Sequence, residues 1–106
     1  MDTLTRLCAT IADRRDANPD TSYVASLFAK GIPQIARKVG EEAVETVIAA
    51  LGEKPENLRG EAADLLFHLL ILLEARGVSL ADVMDELDRR EGVSGIAEKA
   101  ARNGSR

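Results

Sequence analysis

The sequence has one cysteine, Cys8, and one histidine, His68. A single cysteine excludes a disulfide within the chain and any zinc-finger spacing, and a single histidine excludes a multi-histidine metal site within one subunit. Basic residues are not in excess. Fourteen Lys and Arg face eighteen Asp and Glu, a formal net charge of −4. That balance lacks the basic footprint of a nucleic-acid-binding protein, although a nucleotide remains possible as a substrate if a metal supplies positive charge. Long apolar runs are missing too. The longest, Leu65 to Leu73, is interrupted by His68 and is too short to span a bilayer. Residues 1–17 carry charges throughout and have no apolar signal-peptide core. No membrane segment and a cytoplasmic location are therefore expected. There is no GxxxxGK[ST] phosphate loop, and no convincing Ser/His/Asp or Cys/His nucleophile set. Nowhere do Val, Ile and Thr alternate with polar residues long enough for a strand.

What is present is helical periodicity. Leu4, Leu7, Cys8 and Ile11 recur at helical spacing, which predicts a first helix over roughly 3–16 with Cys8 as a small core residue. Asn18 and Pro19 mark a loop from Asp16 to Thr21. Ser22 can cap a short helix to Lys30, with Gly31 as its stop. Pro33 suits the first turn of a long third helix that begins near 32 and ends near Leu51-Gly52. Its apolar stripe is Ile32, Ile35, Ala36, Val39, Ala43 and Val47. Gly40 lies inside it, either for close helix packing or to open the backbone to a bulky ligand. Pro55 opens a fourth helix to about Arg76, with Gly77 as stop, and Ser79 caps a fifth to about Arg90. The segment from Glu91 to Arg106 is read as a short helix around Ile96 to Arg102 or as a loose, mobile tail. The expected fold is one all-α domain over 1–106, a bundle of four to five helices. A chain this short buries a modest share of its surface, so self-association is plausible from the start.

Two acidic clusters lie on consecutive helices: Glu41, Glu42 and Glu45 on the third, Glu61 and Asp64 on the fourth. Glu42 and Glu45 project within about 60° of each other, and Glu41 and Glu45 within about 40°, at about 100° per residue. Glu61 and Asp64, three apart, share a face. Like charges at this spacing destabilise a bare helix. The cost is explained if a divalent cation sits between the clusters, and Mg²⁺ takes hard oxygen ligands shared between carboxylates, waters and phosphates. Glu-x-x-Glu alone is common on solvated surfaces. Here, however, the apolar residues from 64 to 73 cover the whole circumference of the fourth helix. A helix apolar all round is buried. Asp64 and His68 are therefore expected to be partly enclosed, in part by a partner subunit.

His68 reads as a core histidine bonded to a neighbouring helix, or alternatively as a substrate contact. It is not three residues after Glu61 or Asp64, which disfavours a di-iron Glu-x-x-His site. Arg37 and Lys38 precede the glutamates by about one turn, with Lys38 expected between Glu42 and Glu45. Each is either an intrahelical ion pair or a phosphate contact. The chemistry that remains is metal-assisted attack of water on a phosphoric anhydride.

The run Lys38-Val39-Gly40-Glu41-Glu42-Ala43-Val44-Glu45, followed by Glu61-Ala62-Ala63-Asp64-Leu65-Leu66-Phe67-His68, resembles the phosphoribosyl-ATP pyrophosphatase family. That family lies within the all-α nucleoside triphosphate pyrophosphohydrolases, whose signature is ExxE, a spacer and ExxD. Ser22-Tyr23 with Leu27 and Gly31, and Ser94-Gly95 with Glu98-Lys99-Ala100-Ala101-Arg102, agree as well. The resemblance implies Mg²⁺-dependent hydrolysis of phosphoribosyl-ATP to phosphoribosyl-AMP and pyrophosphate in histidine biosynthesis, by a homodimer. Carried over by position, it implies Glu42, Glu45, Glu61 and Asp64 as metal ligands, with Glu41 adjacent. Two other readings stay open: a general nucleotide pyrophosphohydrolase with the same acidic signature, and a non-catalytic helical dimerisation module.

Overall fold

A computed structural model describes residues 2–91, together with Lys99 and Arg102. Five helices follow in order and no strand is present among the described residues: α1 (Thr3–Arg14), α2 (Tyr23–Lys30), α3 (Ile32–Ala50), α4 (Pro55–Arg76) and α5 (Leu80–Arg90). The predicted helices are all there. The tail expected as a short helix or a loose segment around Ile96 to Arg102 lies outside the described residues, save Lys99 and Arg102, which are helical and exposed.

Each helix start has a local cause. Asp2 accepts a hydrogen bond from Thr5 N at 2.7 Å, Ser22 from Ala25 N at 3.2 Å and Ser79 from Asp82 N at 3.0 Å. These bonds satisfy amides that the first helical turn leaves without partners. Gly31 ends α2 and Gly77 ends α4 at φ of 94° and 73°, a left-handed region that costs other residues a Cβ clash.

The core is formed by Ile11 from α1, Val24 and Leu27 from α2, Ile35 from α3, and Leu70 and Ile71 from α4. Leu4, Leu7, Cys8, Phe28 and Phe67 pack against it, so Cys8 takes the packing role expected of it. The longest pairing is α3 against α4, joined by the short turn after Leu51, while α1 packs on α4 and α2 on α3. This hairpin brings the two acidic clusters together.

Burial within one subunit is partial on two helices. The helix α4 is not enclosed all round within one subunit: Leu66 and Leu69 are exposed, and Asp64 is exposed with them. No described helix covers that side, so full enclosure needs a second surface. The apolar stripe of α3 is likewise buried only in part. Ile35 is buried, but Ile32, Ala36 and Val47 are exposed. Val44, Val47, Ile48 and Leu51 instead form a solvent-facing apolar row spaced i, i+3, i+4, i+7. Helix α5 buries none of its residues, and its Met84 and Leu87 face solvent.

Candidate active site

At the middle of the α3–α4 hairpin, Glu42, Glu61 and Asp64 each offer a carboxylate oxygen, and these atoms lie within 4.8 Å of one another. Glu42 and Glu61 are half-buried and Asp64 is exposed. Around Mg²⁺, with metal–oxygen distances of about 2.1 Å, neighbouring ligand oxygens stand about 3 Å apart and opposite ones about 4 Å apart. The three groups are thus near the spacing such an ion requires, and the all-oxygen donor set suits a hard cation. Glu45 lies outside the trio but close to it. The Glu61 carboxyl is held above its ordinary range by partial burial and by the negative charges of Glu45, Glu42 and Asp64. The cluster is therefore in electrostatic conflict when no cation is bound.

Glu41 is turned elsewhere. It pairs with Arg37 at 3.0 Å, and Lys38 approaches it at 3.9 Å. Lys38 also stands 3.5 Å from Glu42. Lys38 is expected to project between Glu42 and Glu45 in its direction around the helix, and its ammonium meets Glu42 and Glu41, since residues three and four further along a helix are neighbours whereas residue 45 is two turns away. Arg37 is exposed and engaged with Glu41. Lys38 remains beside the trio, where it can balance charge or meet a phosphate.

Two residues that pattern reading passed over hold the site together. Thr46 Oγ1 donates to the backbone oxygen of Glu42 at 2.7 Å and of Glu61 at 3.2 Å. One hydroxyl therefore bridges α3 and α4 at the level of the carboxylates. The signal was present in principle, since a helical Thr commonly bonds the carbonyl four residues back, but the cross-helix contact is visible only in three dimensions. Thr46→Val is expected to lower stability by about 1 kcal/mol, the net worth of one such bond. A urea unfolding midpoint equal to wild type would remove the bridge from the account.

The second residue is Tyr23, at the start of α2. Its hydroxyl lies 2.6 Å from His68 Nε2. His68 Nδ1 in turn lies 2.7 Å from the backbone oxygen of Asp64. His68 is 5% exposed, so the core reading of this histidine describes its position, and both ring nitrogens are occupied by protein partners.

Beside the trio an open cleft of about 510 Å³ is lined by Glu45, Glu61 and Asp64 at one end and by Ile48, Asn57 and Gly60 further along. Among the described residues a Cβ at Gly60 would meet nothing within 4 Å, nor would one at Gly40. Close packing against a described residue is therefore not the reason for Gly40.

The chain is similar to known proteins over most of its length. The family model described as Phosphoribosyl-ATP pyrophosphohydrolase matches residues 4–91. The chain is 69% identical over 102 residues to a phosphoribosyl-ATP pyrophosphatase of Erythrobacter litoralis, covering 96% of this chain and 98% of that protein. It is 67% identical over 100 residues to the protein of that name from Rhizorhabdus wittichii, with 94% of each covered. To the one from Novosphingobium aromaticivorans it is 62% identical over 100 residues, again with 94% of each covered.

Proposed function

The chain belongs to the phosphoribosyl-ATP pyrophosphohydrolase family, and on that premise we propose that Glu42, Glu45, Glu61 and Asp64 form its active centre. The reaction is hydrolysis of phosphoribosyl-ATP to phosphoribosyl-AMP and pyrophosphate, a step of histidine biosynthesis. The observation that carries the site assignment is the convergence of three carboxylates from two helices, with the Glu61 carboxyl pushed up by its neighbours. Such an arrangement opposes folding unless a cation compensates it.

Glu42, Glu61 and Asp64 would hold Mg²⁺, with Glu45 within reach of the same centre. The ion supplies polarisation of the phosphoryl oxygens and a lowered pKa for a bound water. The protein contributes the rest. Thr46 keeps the two carboxylate-bearing helices in register. Lys38, beside Glu42, offers a positive charge to a phosphate. Any carboxylate not engaged with the cation can orient the attacking water. The cleft beyond Glu61 has room for part of the substrate.

The substrate assignment is tested by parallel turnover of phosphoribosyl-ATP and the common nucleoside triphosphates. A clear preference for phosphoribosyl-ATP is expected. A preference for deoxynucleoside triphosphates would make the chain a general pyrophosphohydrolase.

The same reading extends to a cytoplasmic homodimer. Val44, Val47, Ile48 and Leu51 form an exposed apolar row on α3, and Leu66 and Leu69 on α4 are exposed as well, more apolar surface than scattered single residues explain. A second copy of a small chain is its natural cover. Among the described residues no helix is long and apolar enough to cross a membrane.

A further inference from the structure

Tyr23 is 50% exposed, yet it is fixed from three directions. Its hydroxyl bonds His68 Nε2 at 2.6 Å. Its ring stacks on Phe67, with centroids 6.3 Å apart and planes 21° apart, and meets the His68 ring edge-on at 5.7 Å. His68 is itself buried and tied by Nδ1 to the Asp64 backbone oxygen at 2.7 Å. A solvent-facing aromatic ordinarily moves among rotamers. Here a buried side chain is used to hold an exposed one still.

The hydrogen-bond directions follow from the partners. A backbone carbonyl only accepts, so His68 Nδ1 carries the proton. In the neutral ring Nε2 then accepts, and the Tyr23 O–H donates to it. With its proton committed inward, the Tyr23 oxygen shows the outside only lone pairs. It does so beside the active centre: Lys38, Glu42, Asp64 and Glu41 all act electrostatically on it.

On the reading that the substrate is phosphoribosyl-ATP, such an oxygen distinguishes its phosphates from its ribose and base groups. Phosphate oxygens are acceptors and cannot bond a second acceptor. Ribose hydroxyls and the base amine are donors. We propose that Tyr23, oriented by His68, accepts a hydrogen bond from a donor on the nucleoside part of the substrate, a ribose hydroxyl or the base amine. Lys38 would then meet the phosphates and Tyr23 the nucleoside. Tyr23 is a substrate-contacting residue, and His68 is a positioning residue that acts through it.

The test is steady-state pyrophosphate release from phosphoribosyl-ATP by wild type, Tyr23→Phe, His68→Leu and the double variant. Tyr23→Phe is expected to raise KM about three- to tenfold, the worth of one neutral hydrogen bond, with the loss falling on KM rather than kcat. His68→Leu should show a similar loss, and the double variant no more than the larger single loss, because both remove the same contact. Inhibition by AMP, by its dideoxyribose analogue and by the analogue lacking the base amine identifies the donor, since wild type should lose affinity for only the analogue without it. Tyr23 is the sole tyrosine and His68 the sole histidine, so isotope labels on each give single resonances. AMP should move the Tyr23 signal, and the His68 nitrogen spectrum should show the proton on Nδ1. This readout needs no variant to fold. A Tyr23→Phe enzyme with wild-type KM, or a Tyr23 resonance unmoved by AMP, would overturn the proposal. Failure of wild type to hydrolyse phosphoribosyl-ATP would instead overturn the substrate assignment, while the AMP titration still scores the Tyr23 contact.

Discussion

Replacing Glu61 by Gln is expected to lower pyrophosphate release from phosphoribosyl-ATP by about 10²- to 10⁴-fold, corresponding to the several kcal/mol that metal-assisted charge stabilisation supplies. Glutamine keeps the size and shape of the side chain, so loss of packing does not account for such a drop. The same substitution is expected to leave the cation-free protein as stable as wild type or more so. Glu61 is pushed up by burial and by Glu45, Glu42 and Asp64, and a neutral amide removes that conflict. The sign can be followed in pH. An acid whose pKa is higher in the folded than in the unfolded state holds its proton more tightly when folded. The cation-free protein therefore loses stability as pH rises from the ordinary glutamate range through the raised folded value. In Glu61→Gln that decline should be shallower. A purely structural Glu61 predicts the reverse pairing: activity retained, or activity lost together with the fold. Kinetics and a pH series of thermal unfolding on one pair of proteins decide between them.

If α3 carries the proposed subunit interface, Val47→Glu is expected to weaken the dimer by about 100-fold or more, since an uncompensated charge buried in an apolar interface costs several kcal/mol. Val47 is 59% exposed in the single subunit and does not line the cleft. The isolated subunit should therefore tolerate the glutamate. Sedimentation over a range of concentrations should show wild type as a dimer and the variant as a folded monomer with unchanged helical circular dichroism. Dimers of both proteins would place the subunit interface elsewhere, and monomers of both would overturn the homodimer.

Much of this architecture was legible in the residues themselves. Caps at Ser22 and Ser79, stops at Gly31 and Gly77, and first-turn prolines at 33 and 55 mark helix boundaries by local chemistry, and local chemistry can be read along a chain. Glu42, Glu61 and Asp64 were legible for the same reason, because three-residue spacing on two consecutive helices fixes shared faces. What lies across from a side chain is harder to read. An α4 that is apolar all round implies cover on every side, but periodicity does not say which neighbour supplies it, and in the single subunit His68 is buried while Asp64 is exposed. The Thr46 bridge and the Tyr23–His68 pair were missed because each joins residues 15 and 45 positions apart, a separation at which sequence pattern carries no information about distance.

The account rests on carboxylates held together for a divalent cation, and thermal unfolding of the substrate-free protein with and without Mg²⁺ near neutral pH tests that claim most directly. A monovalent salt at matched ionic strength controls for general screening. Wild type should melt at a distinctly higher temperature with Mg²⁺ than with the monovalent control, as expected for a ligand that binds only the folded state, and Glu61→Gln should show little or no such rise. Identical melting of wild type in the two salts would contradict the account.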